Sequence, residues 1–267
     1  MSIQINYKSK SSKKSLNNLI LFVDEKFNAI QIKRYISRHE YSYINDLLKT
    51  SDLTKKILVF ELNSKRRIIL VSIKPKIKFS DIESLGAELY SHINLGKNKS
   101  YILNSDSLFT KQENLVGYLV HGLKLKSYEF DKYKTKKKIK YVTIDIIGKY
   151  KPSRSIQARF DALEKGTYLT RDLVSEPGNI LHPDEYAKRI KALRKYGLKI
   201  NVYDQKNLKK LGMNALLGVG QGSIRGSYLV TMEWKGVRNN SKPLAFIGKG
   251  VCFDTGGYSL KPAKFME

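Results

Sequence analysis

Short apolar runs alternate with segments of helical periodicity along most of the chain, and this alternation limits the possible fold more than any other feature. In one helical segment, 80–95, Ser80 is a candidate N-cap and Ile82, Leu85 and Leu89 share one face. A second helix is predicted at 113–125. Strands are predicted at 17–25, 55–62, 66–73, 100–105 and 138–147. The alternation predicts a small N-terminal α/β domain over 1–150.

The pattern continues after a long helical segment. Apolar residues at near-helical intervals, from Ile156 to Leu169, predict one helix over 151–175 that links two domains and ends before Pro177 and Gly178. Further helices are predicted at 182–197 and 205–212, and strands at 198–204, 226–234 and 243–248. We therefore expect residues 176–267 to begin a second domain, a mostly parallel α/β/α layer structure.

Composition excludes several classes of protein. The longest apolar runs, at 18–23 and 68–73, are far shorter than the roughly 18 residues that span a bilayer, so no membrane-spanning helix and no membrane partner are expected. Cys252 is the single cysteine, which excludes an internal disulfide and favours a cytoplasmic location.

The formal net charge is +26, which could indicate a nucleic-acid partner. Basic residues are scattered along the chain, however, apart from a lysine-rich run at 132–140. Clustering rather than total charge marks a nucleic-acid-binding face, so we favour compositional drift and keep nucleic-acid binding as an alternative.

The last twenty residues combine lysines, an aspartate and glycines at a regular spacing. Lys249 follows the predicted strand 243–248, at the end of a strand where open α/β sheets present functional groups. Asp254 comes five residues later, and an extended chain would separate the two Cα atoms by about 16 Å. The chain must therefore turn if the two residues act together, and Gly250 permits a turn. The glycine pair at 256–257 permits a second turn, which can bring Lys261 close to Lys249 and Asp254.

These residues resemble a family signature. The segment "IGKGVCFDTGGYSLKP" at 247–262 meets every fixed position of the pattern G-K-G-[VIL]-x-F-D-[ST]-G-G-x-[SN]-[LI]-K of the leucyl (cytosol) aminopeptidase family. The segments at 219–236, 170–189 and 127–136 are similar to other parts of that family, whereas the first hundred residues match only in general character.

The resemblance implies a peptidase that removes N-terminal residues from peptides with two divalent metal ions, Mn²⁺ or Zn²⁺, and that assembles as a hexamer. By position in the signature, Lys249 corresponds to an amine ligand, Asp254 to a bridging carboxylate and Lys261 to the catalytic lysine. A lysine binds a metal only as the neutral amine, whereas the two oxygens of one carboxylate can bridge two ions.

Other candidate sites in the chain have simpler explanations. Cys252 could be a nucleophile with His182 as its base, but its apolar neighbours favour a packed side chain, and His182 fits a helix start. The "VGQGS" segment at 219–223 lacks the Lys and hydroxyl pair of a nucleotide loop and is interpreted as a tight connection.

The chain also departs from the family pattern. The family supplies another aspartate shortly after the signature and an Asp-x-Glu-x-Arg cluster several dozen residues later, beyond the last residue here. One amine and one carboxylate cannot fill the shells of two metal ions. We therefore expect an N-terminal, inactive part of an aminopeptidase, with a non-catalytic scaffold as a further alternative.

Overall fold

The computed structural model describes residues 3–9, 18–95, 99–110, 112–135, 141–237 and 242–266. The chain divides into two compact units, Met1–Asp172 and Leu173–Glu267. Residue 17 and residues 138–140 of the predicted strands, and residues 136–140 of the lysine-rich run, lie outside the described residues.

The first unit is built on one twisted sheet with helices on both faces. Its strands are β1 (Ile3–Tyr7), β2 (Asn18–Val23), β3 (Ile57–Asn63), β4 (Arg66–Ser72), β5 (Ser100–Asn104) and β6 (Val142–Ile147). Its helices are α1 (Arg38–Leu48), α2 (Phe79–Leu95), α3 (Leu115–Lys126) and α4 (Arg154–Ser175). Among the described residues the strand order is β1-β6-β5-β2-β4-β3, and only the β3–β4 pair is antiparallel.

The two faces of the sheet bury different residues because side chains alternate along each strand. In β2, Ile20 and Phe22 pack with α2 and α3, whereas Leu19, Leu21 and Val23 pack with α1 on the other face. Central strands buried on both faces explain the continuous apolar runs of the sequence.

Helices α2 and α3 touch backbone to backbone at two glycines. A Cβ atom on Gly86 would lie 2.0 Å from the carbonyl oxygen of Leu119, and one on Gly122 would lie 1.9 Å from that of Glu83. Both positions therefore require glycine for the helices to approach this closely.

Helix α4 is attached to α3 by a buried polar cluster. The Glu164 carboxylate lies 3.0 Å from Nδ1 of His121 and accepts a hydrogen bond from Nζ of Lys124 at 2.9 Å. Lys124 also pairs with Asp161 at 2.9 Å, and the ring of Phe160 stacks on His121. Glu164 is 4% exposed, so the loss of one of these partners would leave a buried polar group unsatisfied.

The second unit has a smaller core. It contains α5 (Pro183–Lys191), β7 (Lys199–Tyr203), α6 (Gln205–Lys210), α7 (Asn214–Gly220) and β8 (Leu229–Glu233). Among its described residues the buried apolar side chains are those of Leu181, Ala187, Ile200 and Leu208.

The α/β fold class is confirmed, with a mostly parallel sheet in the first unit. The predicted long helix and most predicted strands are also found, whereas β1, α1 and α7 were not predicted. The "VGQGS" segment begins with the last two residues of α7, Val219 and Gly220, and continues as a turn, so it is a connection only in part.

Two expectations for the second unit are wrong. Strands β7 and β8 are antiparallel. Strand β7 ends at Tyr203, and β8 begins at Leu229 directly opposite, because α6 and α7 bring the chain back to the end of β7 from which it left. Residues 243–248 form no strand, because no described residue hydrogen-bonds them into a sheet. Lys249 therefore does not stand at a strand end in this structure.

Candidate metal centre

A tight turn brings Asp254 and Lys261 together. Gly256 and Gly257 have φ angles of +96° and +72°, which side-chain-bearing residues rarely adopt. A Cβ atom on Gly256 would lie 2.4 Å from the carbonyl oxygen of Ser259, so glycine is required there. The turn places Nζ of Lys261 3.1 Å from Oδ2 of Asp254.

The two oxygens of Asp254 have separate donors. Oδ1 accepts a hydrogen bond from the backbone N–H of Gly256 at 2.9 Å, while Oδ2 faces Lys261. The pKa of Asp254 is lowered below its usual value. The hydrogen bond from the Gly256 N–H has the largest effect, Lys261 comes next, and the charge of Lys249 adds a smaller one. The carboxylate is thus ionised at neutral pH while its side chain remains 53% exposed.

Lys249 is exposed and lies within electrostatic reach of Asp254. No ion pair joins it to another described residue of the chain. The adjacent Gly250 does not have a positive φ angle; instead, a Cβ atom there would lie 2.9 Å from Cε1 of Tyr186. Gly250 therefore allows close approach to helix α5 rather than the turn that the sequence predicts.

The start of α5, whose Tyr186 lies against Gly250, is held by a cap and an ion pair. His182 is the N-cap and accepts a hydrogen bond from the N–H of Glu185 at 3.4 Å, as the sequence predicts for a helix start. Asp184 contacts Nδ1 of His182 and pairs with Arg225 at 3.2 Å. Desolvation opposes ionisation of Asp184, but the pKa is lowered because its own backbone N–H, His182 and Arg225 outweigh that effect.

Cys252 does not have the environment of a nucleophile. Burial, and then the charge of Asp184, raise the pKa of its thiol. His182 is engaged with Asp184 and with the helix N-terminus. Both residues therefore have the packing and capping roles that the sequence favours.

Sequence reasoning missed a buried ion pair beneath this region. Arg189 donates to Glu176 at 2.9 Å and to Glu185 at 3.0 Å, and the Glu176 side chain is only 2% exposed. The pair fixes the loop after α4, where a Cβ atom on Gly178 would lie 3.1 Å from Cβ of Phe253. Only the Glu185–Arg189 spacing of four residues was a visible signal in the sequence.

The donor set has the right chemistry for a divalent metal but too few members. Asp254 supplies a carboxylate and Lys249 an amine, whereas each ion needs four or more ligands. No group of three or more His, Cys, Asp or Glu side chains suited to a metal occurs in the part of the chain that the structure describes. These residues therefore do not form a complete metal site by themselves.

No helix in the described ranges is long and apolar enough to cross a membrane. Residues 168–267 match the model of the cytosol aminopeptidase family, catalytic domain.

Curated relatives carry the same family name. A probable cytosol aminopeptidase of Nitrobacter winogradskyi is 39% identical over 231 residues, which cover 84% of this chain and 46% of the relative. One from a Chelativorans species is 48% identical over 153 residues, or 55% of this chain and 31% of that protein. The chain thus spans less than half the length of these relatives.

Solved structures share the fold. The bottromycin maturation enzyme BotP in complex with Mn matches with a TM-score of 0.66 and 20% identity, over 94% of this chain and 51% of that one. A mutant of tomato leucine aminopeptidase matches with a TM-score of 0.66 and 20% identity, over 86% of this chain and 50% of that one. The nucleic-acid-binding and scaffold alternatives gain no support from these matches. From the signature segment, the curated relatives and the shared fold, the chain belongs to the cytosol aminopeptidase family.

Proposed function

We propose that this chain provides the N-terminal domain (1–150), the linking helix (151–175) and the first part of the catalytic domain (176–267) of a metal-dependent aminopeptidase. The observation that carries the proposal is the Asp254–Lys261 pair, held by a glycine turn inside the family signature. Peptides with a free N-terminus are the proposed substrates.

The proposed roles follow from the chemistry of each group. Asp254 is ionised and exposed, and its carboxylate is the proposed bridging ligand that would hold the two ions. Lys249 lies within electrostatic reach of Asp254 and is the proposed amine ligand. When bound, two divalent ions, Mn²⁺ or Zn²⁺, would polarise the scissile carbonyl and lower the pKa of a bound water.

Lys261 is the proposed catalytic lysine. Its ammonium group pairs with Asp254 in this structure, and in the complete site it would donate to the oxygen of the substrate carbonyl. A charged donor at a developing oxyanion can stabilise the transition state by about 3 kcal/mol. The remaining ligands would come from polypeptide equivalent to the part of the relatives that this chain does not match.

A cytoplasmic location and a hexameric assembly of the complete protein are part of the same proposal. The names of the relatives include the word cytosol, in agreement with the location inferred from the single cysteine.

The test is the release of aniline from leucine anilide with added Mn²⁺ or Zn²⁺. The 267-residue chain alone should give no release above the buffer rate, whereas a chain extended by the second half of the relative from Nitrobacter winogradskyi should be active. Substantial turnover by the chain alone would contradict the ligand argument, and inactivity of the extended, folded chain would contradict the proposed function.

A further inference from the structure

The ring of Tyr186 supports the backbone beside Lys249. Tyr186 lies near the start of α5. A Cβ atom on Gly250, the residue after Lys249, would lie 2.9 Å from Cε1 of that ring and 3.5 Å from Cδ1. Real Cβ atoms essentially never approach within 3.0 Å, so the ring occupies the space that a side chain would need. The backbone next to Lys249 therefore rests directly on the ring.

A second glycine supports the other end of the same segment. A Cβ atom on Gly178 would lie 3.1 Å from Cβ of Phe253 and 3.7 Å from the carbonyl oxygen of Cys252. Phe253 directly precedes Asp254. A contact of 3.1 Å is tighter than nine in ten real Cβ contacts, so glycine leaves the room that this approach needs. The two contacts thus lie at the two ends of residues 250–253.

A buried ion pair joins the two supports to each other. Glu176 lies in the loop that leads to Gly178, and its side chain is 2% exposed. Its partner at 2.9 Å is Arg189 on α5, the helix that carries Tyr186. Removing one member of a buried pair is costly because it leaves a buried charge uncompensated. The pair therefore holds the loop and the helix together, and with them the two points on which 250–253 rests.

We propose that Tyr186 and Gly178 are positioning residues for the metal centre. By holding the backbone of 250–253, they set the separation at which the Lys249 amine and the Asp254 carboxylate are presented to metal ions. Neither is itself a proposed ligand. Metal ligands must be held close to their productive geometry by the residues that support them. The role in metal binding rests on the proposed function, whereas the two contacts do not.

The contact between Tyr186 and Gly250 is tested by paired exchanges in the 267-residue chain. Gly250→Ala should displace the segment, because the new methyl group meets the ring. The same exchange in a Tyr186→Ala background should have little further effect, since the ring is absent. Tyr186→Phe is the matched control for the ring, because the contacting atoms belong to the ring and not to the hydroxyl. Gly248→Ala is the control for the backbone, since nothing lies within 4 Å of its new Cβ.

Cys252 gives a readout that needs no metal. It is the single cysteine, lies within 250–253 and is partly buried, so its rate of reaction with dithionitrobenzoic acid reports whether the segment stays in place. Gly250→Ala should speed the reaction about fivefold in the wild-type background and less than about twofold in the Tyr186→Ala background. Gly178→Val should also speed it about fivefold. Both controls should react as the wild type does, and far-UV circular dichroism checks that every variant folds.

The effect on the metal centre is measured in the extended chain used to test the proposed function. Tyr186→Ala should weaken Mn²⁺ binding by about 10-fold or more, the usual effect of removing a residue that orients a ligand. Tyr186→Phe should bind Mn²⁺ as the wild type does. Binding is measured well below the unfolding temperature of each variant, where a residue that only stabilises the fold would not change the affinity.

Two results would overturn the proposal. One is an equal effect of Gly250→Ala on the thiol reaction with and without the ring. The other is a Tyr186→Ala extended chain that binds Mn²⁺ as tightly as the wild type. If the wild-type extended chain binds no Mn²⁺ while the thiol reaction shows the coupling of Tyr186 to Gly250, the proposed function fails and the support of 250–253 stands.

Discussion

The glycine contact between α2 and α3 gives a prediction whose size can be worked out. In Gly122→Ala the new Cβ would lie 1.9 Å from the carbonyl oxygen of Glu83, and its next two neighbours, at 2.6 and 2.7 Å, are also backbone atoms of that residue. Real Cβ contacts are essentially never below 3.0 Å, so the helices must separate by about 1 Å. No side-chain rotation relieves the clash.

Overpacking of a core costs up to about 3 kcal/mol, and the backbone contact favours this upper end. Alanine in a helix recovers about 1 kcal/mol relative to glycine. The net loss should be about 2 kcal/mol, which lowers the melting temperature of a unit of this size by about 4–8 °C.

The control is Gly166→Ala in α4, where nothing lies within 4 Å of the new Cβ. This exchange should stabilise the chain by about 0.5–1 kcal/mol, because only the helix propensity changes. Thermal and guanidinium unfolding, followed by circular dichroism, measure both variants. If Gly122→Ala is as stable as Gly166→Ala, the two helices are not in backbone contact and the argument fails.

Two further predictions concern charges. Glu164→Gln should destabilise the first unit by about 2 kcal/mol, since it removes the buried carboxylate charge to which His121 and the half-buried Lys124 are bonded. Asp161→Asn at the exposed end of the same cluster should cost less than about 1 kcal/mol. Equal losses in guanidinium unfolding would refute this. Lys261→Gln should raise the pKa of Asp254 towards its usual value in a carbon-detected NMR titration, whereas Lys264→Gln should not. Because the pKa of Asp254 is depressed, the stability that its ionised form gives to the turn is present at neutral pH and is lost as the pH falls through the lowered value. An unchanged pKa of Asp254 in Lys261→Gln would show that the ion pair with Lys261 does not lower that pKa.

The first unit could be predicted in large part from local patterns. Strands such as β2 and β4 are central and buried on both faces, so their sequences are continuous apolar runs. The edge strand β1 was missed because it alternates polar residues and buries only Ile3. Helix α1 was missed because only Ile44 and Leu48 are buried, although Ser37 and Glu40 form a capping box that the sequence does display.

The second unit was harder because its structure depends on distant partners. The direction of the β7–β8 pair is decided by the path of two short helices, which no periodicity reveals. An apolar run such as 243–247 predicts a strand, but a strand forms only where a neighbour offers hydrogen bonds.

Part of the candidate site was visible in the sequence. The glycine pair predicts the turn that joins Asp254 to Lys261, since only glycine adopts these φ angles readily. The Glu176–Arg189 pair was not visible, because its two residues meet only after the loop and α5 have folded.

The measurement that tests the account most directly is the number of Mn²⁺ ions bound per chain in equilibrium dialysis. The 267-residue chain alone should bind no stoichiometric Mn²⁺, because Asp254 and Lys249 are too few donors. The chain extended by the second half of the relative from Nitrobacter winogradskyi should bind Mn²⁺ stoichiometrically, and Asp254→Asn in that extended chain should abolish the binding. Stoichiometric binding by the 267-residue chain alone, or full binding by the extended chain with Asp254→Asn, would contradict the account.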